Sequence, residues 1–285
     1  MDKIYIVLRR ADAKSQILLG SMEKYQKNIF IVNNLPCDNN ALYLINKHIL
    51  PDEQKTIRKL RARGNIFIYQ LFDYNCGMSK KEKFADNYDN YVNDLINQCK
   101  HVNYVLFNSY YHSKIIPFEN KLVMYHEYDN RIKKSDENDR KDSINYFGIK
   151  TKCSLSQEII DKYNINIKIE RFNLKIHRTI HIDFCLKDNL YYSMHTSTKC
   201  ANAIGADCVF ICNRLPIYVE LLGENYNLFI NDDYSNIETI INTAKNIINN
   251  NKQYKKYIKS LKHLKKELST KNILDQYLEL FKIKN

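Results

Sequence analysis

The segment HTSTKCANAIGADCVFICNRLPIYVELLGENYNLFIND, residues 195–232, carries most of the information about the fold. Hydroxyl-bearing and small residues predict a helix that begins at Thr196, Ser197 or Thr198 and ends near Gly205. The apolar run at 208–213 predicts a strand covered on both faces, and 227–232 predicts a shorter strand. A helix between two strands is the repeating unit of an α/β protein with a parallel sheet.

The same alternation of strand and helix extends outward along the chain in both directions. Continuous apolar and β-branched runs predict further strands at 3–9, 28–34, 65–73, 103–109, 121–129, 143–150, 165–172 and 181–186. Amphipathic stretches with a helical period lie between several of them. The sequence therefore predicts an α/β fold with parallel, helix-covered sheets.

A charged stretch divides the chain into two parts. The residues RIKKSDENDRKD, 131–142, contain nothing apolar after Ile132 and predict a solvated linker at about 132–142. We therefore expect one domain over 1–132 and a second over 143–285, with a helical C-terminus. A surface loop within one large α/β domain is the alternative, and a last helix over 272–283 could pack back against the N-terminal domain.

Composition restricts the class of partner and the compartment. The formal net charge is +12, with 44 basic and 32 acidic residues, which favours a polyanionic partner. The 8 cysteines show no CxxC pair and no zinc spacing, so buried free thiols in a reducing cytosol are expected. We expect a cytoplasmic protein, with peripheral membrane contact through the basic helices at 252–269 as an alternative to simple core packing of their apolar face.

The sequence lacks the motifs of several standard sites, which excludes those sites. The chain has no glycine-rich P-loop, no GxGxxG after a predicted strand, no GxSxG nucleophile elbow and no HExxH zinc motif. No RNA- or DNA-binding signature accompanies the positive charge, which disfavours nucleic acid as a partner.

The predicted helix start at 196–199 is a candidate anion site. Backbone N–H groups at a helix N-terminus favour an anion, and hydroxyls and Lys199 are added there. A lysine in the first turn opposes the helix dipole unless an anion compensates it. We therefore expect a phosphate at this position, although a solvated lysine is the simpler alternative.

These motifs, in this order, resemble the C-terminal half of GT-B-fold glycosyltransferases of the family-1 and family-4 type. The likeness rests on Ser197, Thr198 and Lys199 at a helix start, the small segment 203–206, the strand 209–212, the Pro216-x-Tyr218-x-Glu220 turn and a strand that ends in Asp232. It covers about residues 121–235 and is only topological before that.

The resemblance implies two Rossmann-like domains that face a cleft, with the acceptor on the first and a nucleotide-diphosphate sugar on the second. It implies no metal cofactor and a glycan, lipid or protein as acceptor. The implied catalytic residues are His126 and Lys199. The implied contacts with the donor are Gly148, Lys150, Thr196, Ser197, Thr198, Lys199, Asn202 and Glu220.

Other residues near the implied cleft have weaker roles. Arg9, Arg10, Asp129 and Arg131 would face the cleft, and the last two could instead form a hinge ion pair. Glu220 could instead cap a helix that starts near Val219, and Asp183 simply alternates with apolar residues on a strand.

The chain departs from the family pattern at two glutamates. Met194 and Asn202 stand where family-4 enzymes carry acidic residues, the second of which bonds the ribose, and RRADAKSQ at 9–16 replaces a glycine-rich loop. The resemblance therefore predicts a glycosyltransferase, and a catalytically weak or inactive module that binds a nucleotide sugar, a glycan or a protein is the alternative.

Overall fold

The computed structural model describes residues 3–8, 18–46, 49–71, 88–129, 133–134, 136, 139–147, 155–168, 175–176, 178–185 and 198–283. These residues form two compact units. The first contains residues 1–125 and 274–285, and the second contains residues 126–273. Residues 274–285 therefore group with the first unit, whereas the sequence analysis expected them in the second domain.

A parallel sheet of six strands is the centre of the first unit, in the order β2-β1-β3-β4-β5-β6. Its strands are β1 (Lys3–Val7), β2 (Ile29–Val32), β3 (Ala41–Asn46), β4 (Ile66–Leu71), β5 (Tyr104–Phe107) and β6 (Lys121–Val123). Every residue of β3 and β4 is buried, as expected of inner strands covered on both faces.

One inner strand of this sheet was missed by the sequence analysis. The six residues ALYLIN at 41–46 form β3, between β1 and β4. Asn65 lies at the end of the crossover that follows β3 and connects it to the start of that strand and to the crossover helix. Its side-chain oxygen accepts from Ala41 N–H (2.7 Å), and its side-chain nitrogen donates to the Leu60 carbonyl (2.7 Å). The described helices of this unit are a 3₁₀ helix (Leu19–Lys24), α1 (Glu53–Arg61), α2 (Tyr88–Cys99) and α3 (Tyr110–Ile115).

The second unit contains a parallel sheet of five strands, in the order β13-β12-β11-β8-β9, and a parallel pair of β7 with β10. The five strands are β8 (Arg140–Phe147), β9 (Asn166–Lys168), β11 (Arg178–Asp183), β12 (Val209–Asn213) and β13 (Phe229–Ile230). The small pair consists of β7 (Lys133–Lys134) and β10 (Lys175–Ile176). Strand β8 therefore begins inside the charged stretch that predicted a linker.

Helices cover the second sheet and end the chain. They are α4 (Gln157–Lys162), α5 (Thr198–Gly205), α6 (Pro216–Leu222), α7 (Ile237–Asn249), α8 (Asn251–Ser260), α9 (Lys262–Glu267) and α10 (Thr270–Leu280). The six apolar residues of α7 that have a helical period are all buried, as predicted. The single basic helix predicted at 252–269 is divided at Leu261 into α8 and α9.

Helix α10 returns the chain to the first unit. Tyr277 is 2% exposed, and its hydroxyl is hydrogen-bonded to the side-chain amide of Gln70 at the end of β4. Phe281, also buried, lines a pocket of about 250 Å³ with Ile4 of β1. The first unit therefore completes its core with residues from the far end of the chain.

Candidate functional site

The direction in which the chain adds strands changes once within the second sheet, between two neighbouring strands. The chain passes from β8 outward to β9, and then crosses to the other side of β8 to form β11, β12 and β13. Ligands of open α/β sheets bind outside the carboxyl ends of strands at such a switch point. Strands β8 and β11 are the two neighbours at this point.

A lysine and an aspartate form a buried ion pair at the switch point. Asp183 is the last residue of β11 and is 2% exposed, and its Oδ1 lies 2.5 Å from Lys199 Nζ in the first turn of α5. Lys199 also donates to the hydroxyl of Tyr146, near the end of β8, at 2.9 Å. The other oxygen of Asp183 accepts from the Tyr218 hydroxyl on α6. We call Tyr146, Asp183, Lys199 and Tyr218 the Lys199 cluster.

The cluster shifts the pKa values of its members in a consistent direction. Burial raises the pKa of Asp183, but the charge of Lys199 and the hydrogen bonds from Lys199 and Tyr218 outweigh it, so the pKa lies below 3.8. Burial lowers the pKa of Lys199, and Asp183 and Tyr146 more than reverse this effect. Burial and the Asp183 carboxylate both raise the pKa of Tyr218. The pair is therefore ionised at neutral pH, with Tyr218 as a neutral donor.

This pair changes the interpretation of the lysine at the helix start. Helix α5 begins at Thr198, within the predicted range, and Asp183 supplies an anion that compensates Lys199 from within the chain. The Lys199 side chain keeps 24% of its surface exposed. An ammonium group has three N–H donors, and Tyr146 and Asp183 take two of them.

The segment after β6 is attached to α5. The backbone N–H of Asp129 donates to Oδ1 of Asn202 at 3.0 Å, so Asn202 is a support for this segment. A Cβ atom on Gly205 would lie 2.6 Å from Cγ of Tyr128, so glycine at 205 permits the ring to pack against the helix. Gly205 is therefore needed for a close approach.

The predicted catalytic histidine lies in this attached segment. His126 is 6% exposed, and its Nδ1 lies 3.5 Å from a carboxylate oxygen of Glu127. Strand β6 ends at Val123, so His126 and Asp129 follow the strand instead of ending it as the pattern 121–129 predicted. Asp129 is thus hydrogen-bonded to Asn202 through its backbone, and His126 precedes Asp129 by three residues in the same segment.

Glu220 lies in the middle of a helix. Helix α6 begins at Pro216, not near Val219, and the proline occupies its first turn, where its missing N–H costs nothing. Glu220 is half-buried and lines a pocket of about 490 Å³ together with Tyr226 and Tyr257. The predicted Pro216-x-Tyr218-x-Glu220 turn is therefore a helix in the structure.

Seven predicted site residues lie outside the described residues. They are Arg9, Arg10, Arg131, Gly148, Lys150, Thr196 and Ser197. Thr198, Lys199 and Asn202 share helix α5, and they are the predicted donor contacts that the structure places on one element.

The sequence analysis missed the partners of Lys199. Tyr218 appeared there only within the Pro216-x-Tyr218-x-Glu220 turn, and Asp183 only as a polar residue that alternates with apolar ones. Tyr146 fell within the predicted strand at 143–150 without a role of its own. The available signal was position, because Tyr146 and Asp183 end adjacent parallel strands and so face the same edge.

The carboxyl edge of the first sheet also carries buried polar side chains that the sequence analysis missed. Asn46 ends β3 and pairs in register with Gln70 of β4, and Asn108 follows β5. Each is 2% exposed. Buried amides at adjacent strand ends are able to orient a polar ligand, because each offers donors and an acceptor.

Two further properties concern the described part of the chain as a whole. Its residues contain no group of three or more His, Cys, Asp or Glu side chains placed to hold a metal ion. Among its helices, none has the length and apolar character needed to cross a membrane. The six described cysteines are free; five of them are buried, as predicted, whereas Cys37 is exposed.

Comparison with known proteins supports the fold. No protein-family model and no curated protein matches the sequence. A solved structure titled the crystal structure of the GtfA/B complex is 8% identical, with a TM-score of 0.50, over 86% of this chain and 57% of that one. Accessory secretory protein 1, 2 and 3 of Streptococcus pneumoniae gives 14% identity and a TM-score of 0.47, over 86% of this chain and 54% of that one.

This chain spans just over half of the length of each of these two structures. At 8% identity, the likeness to the GtfA/B complex concerns the fold alone. Two parallel sheets covered by helices agree with it, which confirms the predicted class. The chain has an α/β, GT-B-like fold.

Proposed function

We propose that this protein is a glycosyltransferase that moves a sugar from a nucleotide-diphosphate donor to a glycan, lipid or protein acceptor. The observation that carries the proposal is the position of Lys199. Its ammonium group lies at the start of α5, beside the ends of β8 and β11 at the switch point of the second sheet. Positive charge at a helix N-terminus in this position suits a diphosphate.

In this proposal Lys199 stabilises the leaving diphosphate. Negative charge develops on the phosphate oxygens as the bond to the sugar breaks, and a fixed cation in a partly buried site stabilises it. Asp183 and Tyr146 hold the ammonium group in place, and the third N–H donor is directed to the ligand. Thr196, Ser197, Thr198, Gly148 and Lys150 would complete the phosphate site without a metal ion.

His126 and the first sheet would serve the acceptor side of the reaction. His126 would orient the acceptor or the transferred sugar, and Asp129, Arg131, Arg9 and Arg10 would contribute polar groups for acceptor binding. Glu220 would contact the ribose. Such enzymes gain rate mainly from position and electrostatics, so these roles need no covalent step by the protein.

A second candidate is a module of the same fold that binds a nucleotide sugar without turnover. One observation favours it, namely that the side-chain oxygen of Asn202 is bonded to the backbone N–H of Asp129. A neutral amide already used in this way is a weaker partner for a ribose diol than a carboxylate. This candidate predicts donor binding with no release of free sugar.

A panel of UDP-, GDP- and TDP-sugars in a thermal-shift assay tests both candidates. We expect at least one donor to raise the melting temperature, and a donor-hydrolysis assay then separates the enzyme from the binding module. A complete absence of stabilisation by the panel would contradict both.

Two variants test the role of Lys199 in donor binding. Lys199→Gln combined with Asp183→Asn replaces the ion pair by a neutral hydrogen-bonding pair, whereas Asp183→Asn alone keeps the ammonium group. We expect the double variant to lose about tenfold or more in donor affinity, as for a lost charge-assisted hydrogen bond, and the single variant to keep it. Equal affinity in the folded double variant and the native protein would assign Lys199 a purely structural role.

A further inference from the structure

A second basic site lies at the opposite edge of the second sheet. Arg178 begins β11 and Asp207 precedes β12, so both lie at the amino edge, whereas Asp183 of the Lys199 cluster ends β11. They line a pocket of about 420 Å³ with Lys255, Lys259, Lys262 and Lys265 of α8 and α9. We call this the amino-edge pocket.

The floor of the amino-edge pocket is a charged group built around one carboxylate. Asp207 forms an ion pair with Lys265 through one oxygen and lies 3.8 Å from Arg178 Nη2 through the other. The three side chains are 11%, 21% and 14% exposed, respectively. Two cationic side chains thus lie against one carboxylate in a partly buried place.

The rim adds lysines without adding acids. Lys255 and Lys259 are four residues apart on one face of α8, Lys262 begins α9, and all three line the pocket and are exposed. Among the described residues that line the pocket, Asp207 is the only acidic one. Like charges on one face repel, so this arrangement is itself unfavourable unless an anion binds.

The remaining wall is apolar and fixed. Tyr254 is 2% exposed, and its hydroxyl donates to the Asp207 carbonyl at 2.7 Å. Another cation, the Arg140 guanidinium, lies over the Tyr254 ring at 4.8 Å from its centroid. Ile258 completes this wall. The pocket is therefore shaped for a group with concentrated negative charge next to an apolar part.

We propose that the amino-edge pocket binds a phosphate monoester, carried either by a lipid headgroup or by a small soluble molecule. A phosphate with up to two charges and three terminal oxygens matches several cations better than a single carboxylate does. The arginine suits planar, paired hydrogen bonds, and the lysines supply point charge. This site lies at the edge opposite to the proposed donor site and does not depend on the proposed function.

Two triple variants of equal charge test the proposal. Lys255→Gln, Lys259→Gln and Lys262→Gln remove the rim of the pocket, whereas Lys252→Gln, Lys256→Gln and Lys266→Gln remove three exposed lysines of α8 and α9 that do not line it. The probes are glycerol 3-phosphate, a soluble phosphate monoester, and phosphatidylcholine vesicles with and without phosphatidic acid, all at physiological salt, so that long-range attraction is screened.

We expect the native protein to bind at least one phosphate probe, and the pocket triple to bind it about tenfold or more weakly than the control triple. Binding of glycerol 3-phosphate that the pocket triple weakens assigns the pocket to a soluble phosphate, and selective binding of vesicles with phosphatidic acid assigns it to a headgroup. Equal loss in the two triples, or no binding of any phosphate probe by the native protein, would overturn the proposal.

Discussion

Lys199 Nζ lies 2.5 Å from Oδ1 of Asp183, and the carboxylate of this pair is 2% exposed. Asp183→Asn should lower the free energy of unfolding by about 3 kcal/mol, because it leaves a largely buried ammonium group without its counter-charge. Adding Lys199→Gln should restore part of the loss, because the site is then neutral. Denaturant unfolding of the native protein, the two single variants and the double variant measures both effects. A double variant as unstable as the sum of the single variants would contradict a direct interaction.

The same pair predicts sensitivity to acid. The pKa of Asp183 is lowered in the folded protein, so its contribution to stability is present above its unfolded value near 3.8 and is lost as the pH falls further, through the folded pKa. We expect the native protein to lose stability in this range more steeply than Asp183→Asn does. The measurement is the urea midpoint as a function of pH below 5, and parallel curves would show that Asp183 has no such role.

His181 predicts a second pH effect, in a higher range. It packs edge-on between Phe147 and Phe210, and burial lowers its pKa to about 3 from 6.5. The unfolded chain takes up a proton as the pH falls below 6.5 while the folded protein does not, so stability present above 6.5 falls between 6.5 and about 3.

His181→Phe keeps the aromatic packing and removes the imidazole that takes up a proton in the unfolded chain. We therefore expect it to reduce the pH slope of stability in this range by about 1.4 kcal/mol per pH unit. His112, which is also buried with a pKa of about 3, contributes its own slope in both proteins. The exposed His263→Phe is the control, and an equal change in slope for the two variants would contradict the assignment.

The close packing of the Tyr128 ring against Gly205 can be tested by substitution at both positions. Gly205→Ala should destabilise the protein by about 1–3 kcal/mol, since its Cβ would lie 2.6 Å from the tyrosine ring. The same change in a Tyr128→Ala background should cost much less, because the ring is gone. Thermal unfolding of the four proteins completes the cycle. Additive costs would show that the ring is not what excludes a side chain at 205.

Because Asn202 accepts a hydrogen bond from the Asp129 N–H group, we expect its loss to affect the segment that contains His126. Asn202→Ala removes the acceptor for the Asp129 N–H group, and we expect a loss of about 1–2 kcal/mol. The Asp129 amide should also exchange its hydrogen faster. The exposed Asn231→Ala serves as the control and should change stability by less than about 0.5 kcal/mol. Unchanged exchange at Asp129 would exclude the supporting role of Asn202.

The parts of the fold that sequence could predict are those with a strong local period. The buried face of α7, the helix from Thr198 to Gly205 and the strand at 209–213 follow from apolar spacing and small residues alone. Strand β3 was missed, although its six residues are all buried, because Leu42, Tyr43 and Leu44 do not distinguish a short strand from a buried helix segment.

The candidate site was less predictable because its partners are distant along the chain. Lys199 could be named from its place at a helix start, but the hydrogen bonds to Tyr146 and Asp183 join residues 53 and 16 positions away. The expected compensating phosphate and the observed carboxylate satisfy the same electrostatic requirement. The register of β8 with β11 brings Tyr146 and Asp183 to the same edge of the sheet, and local sequence does not specify that register.

The return of α10 to the first unit has a consequence for the order of folding during synthesis. Chains emerge from the ribosome N-terminus first, and domains usually fold as they emerge. Residues 126–273 form one uninterrupted segment, but the first unit must wait for Tyr277 and Phe281 before its core is complete. The first unit to be synthesised is therefore the last to finish folding, and its six-stranded sheet must remain soluble while the second unit is made.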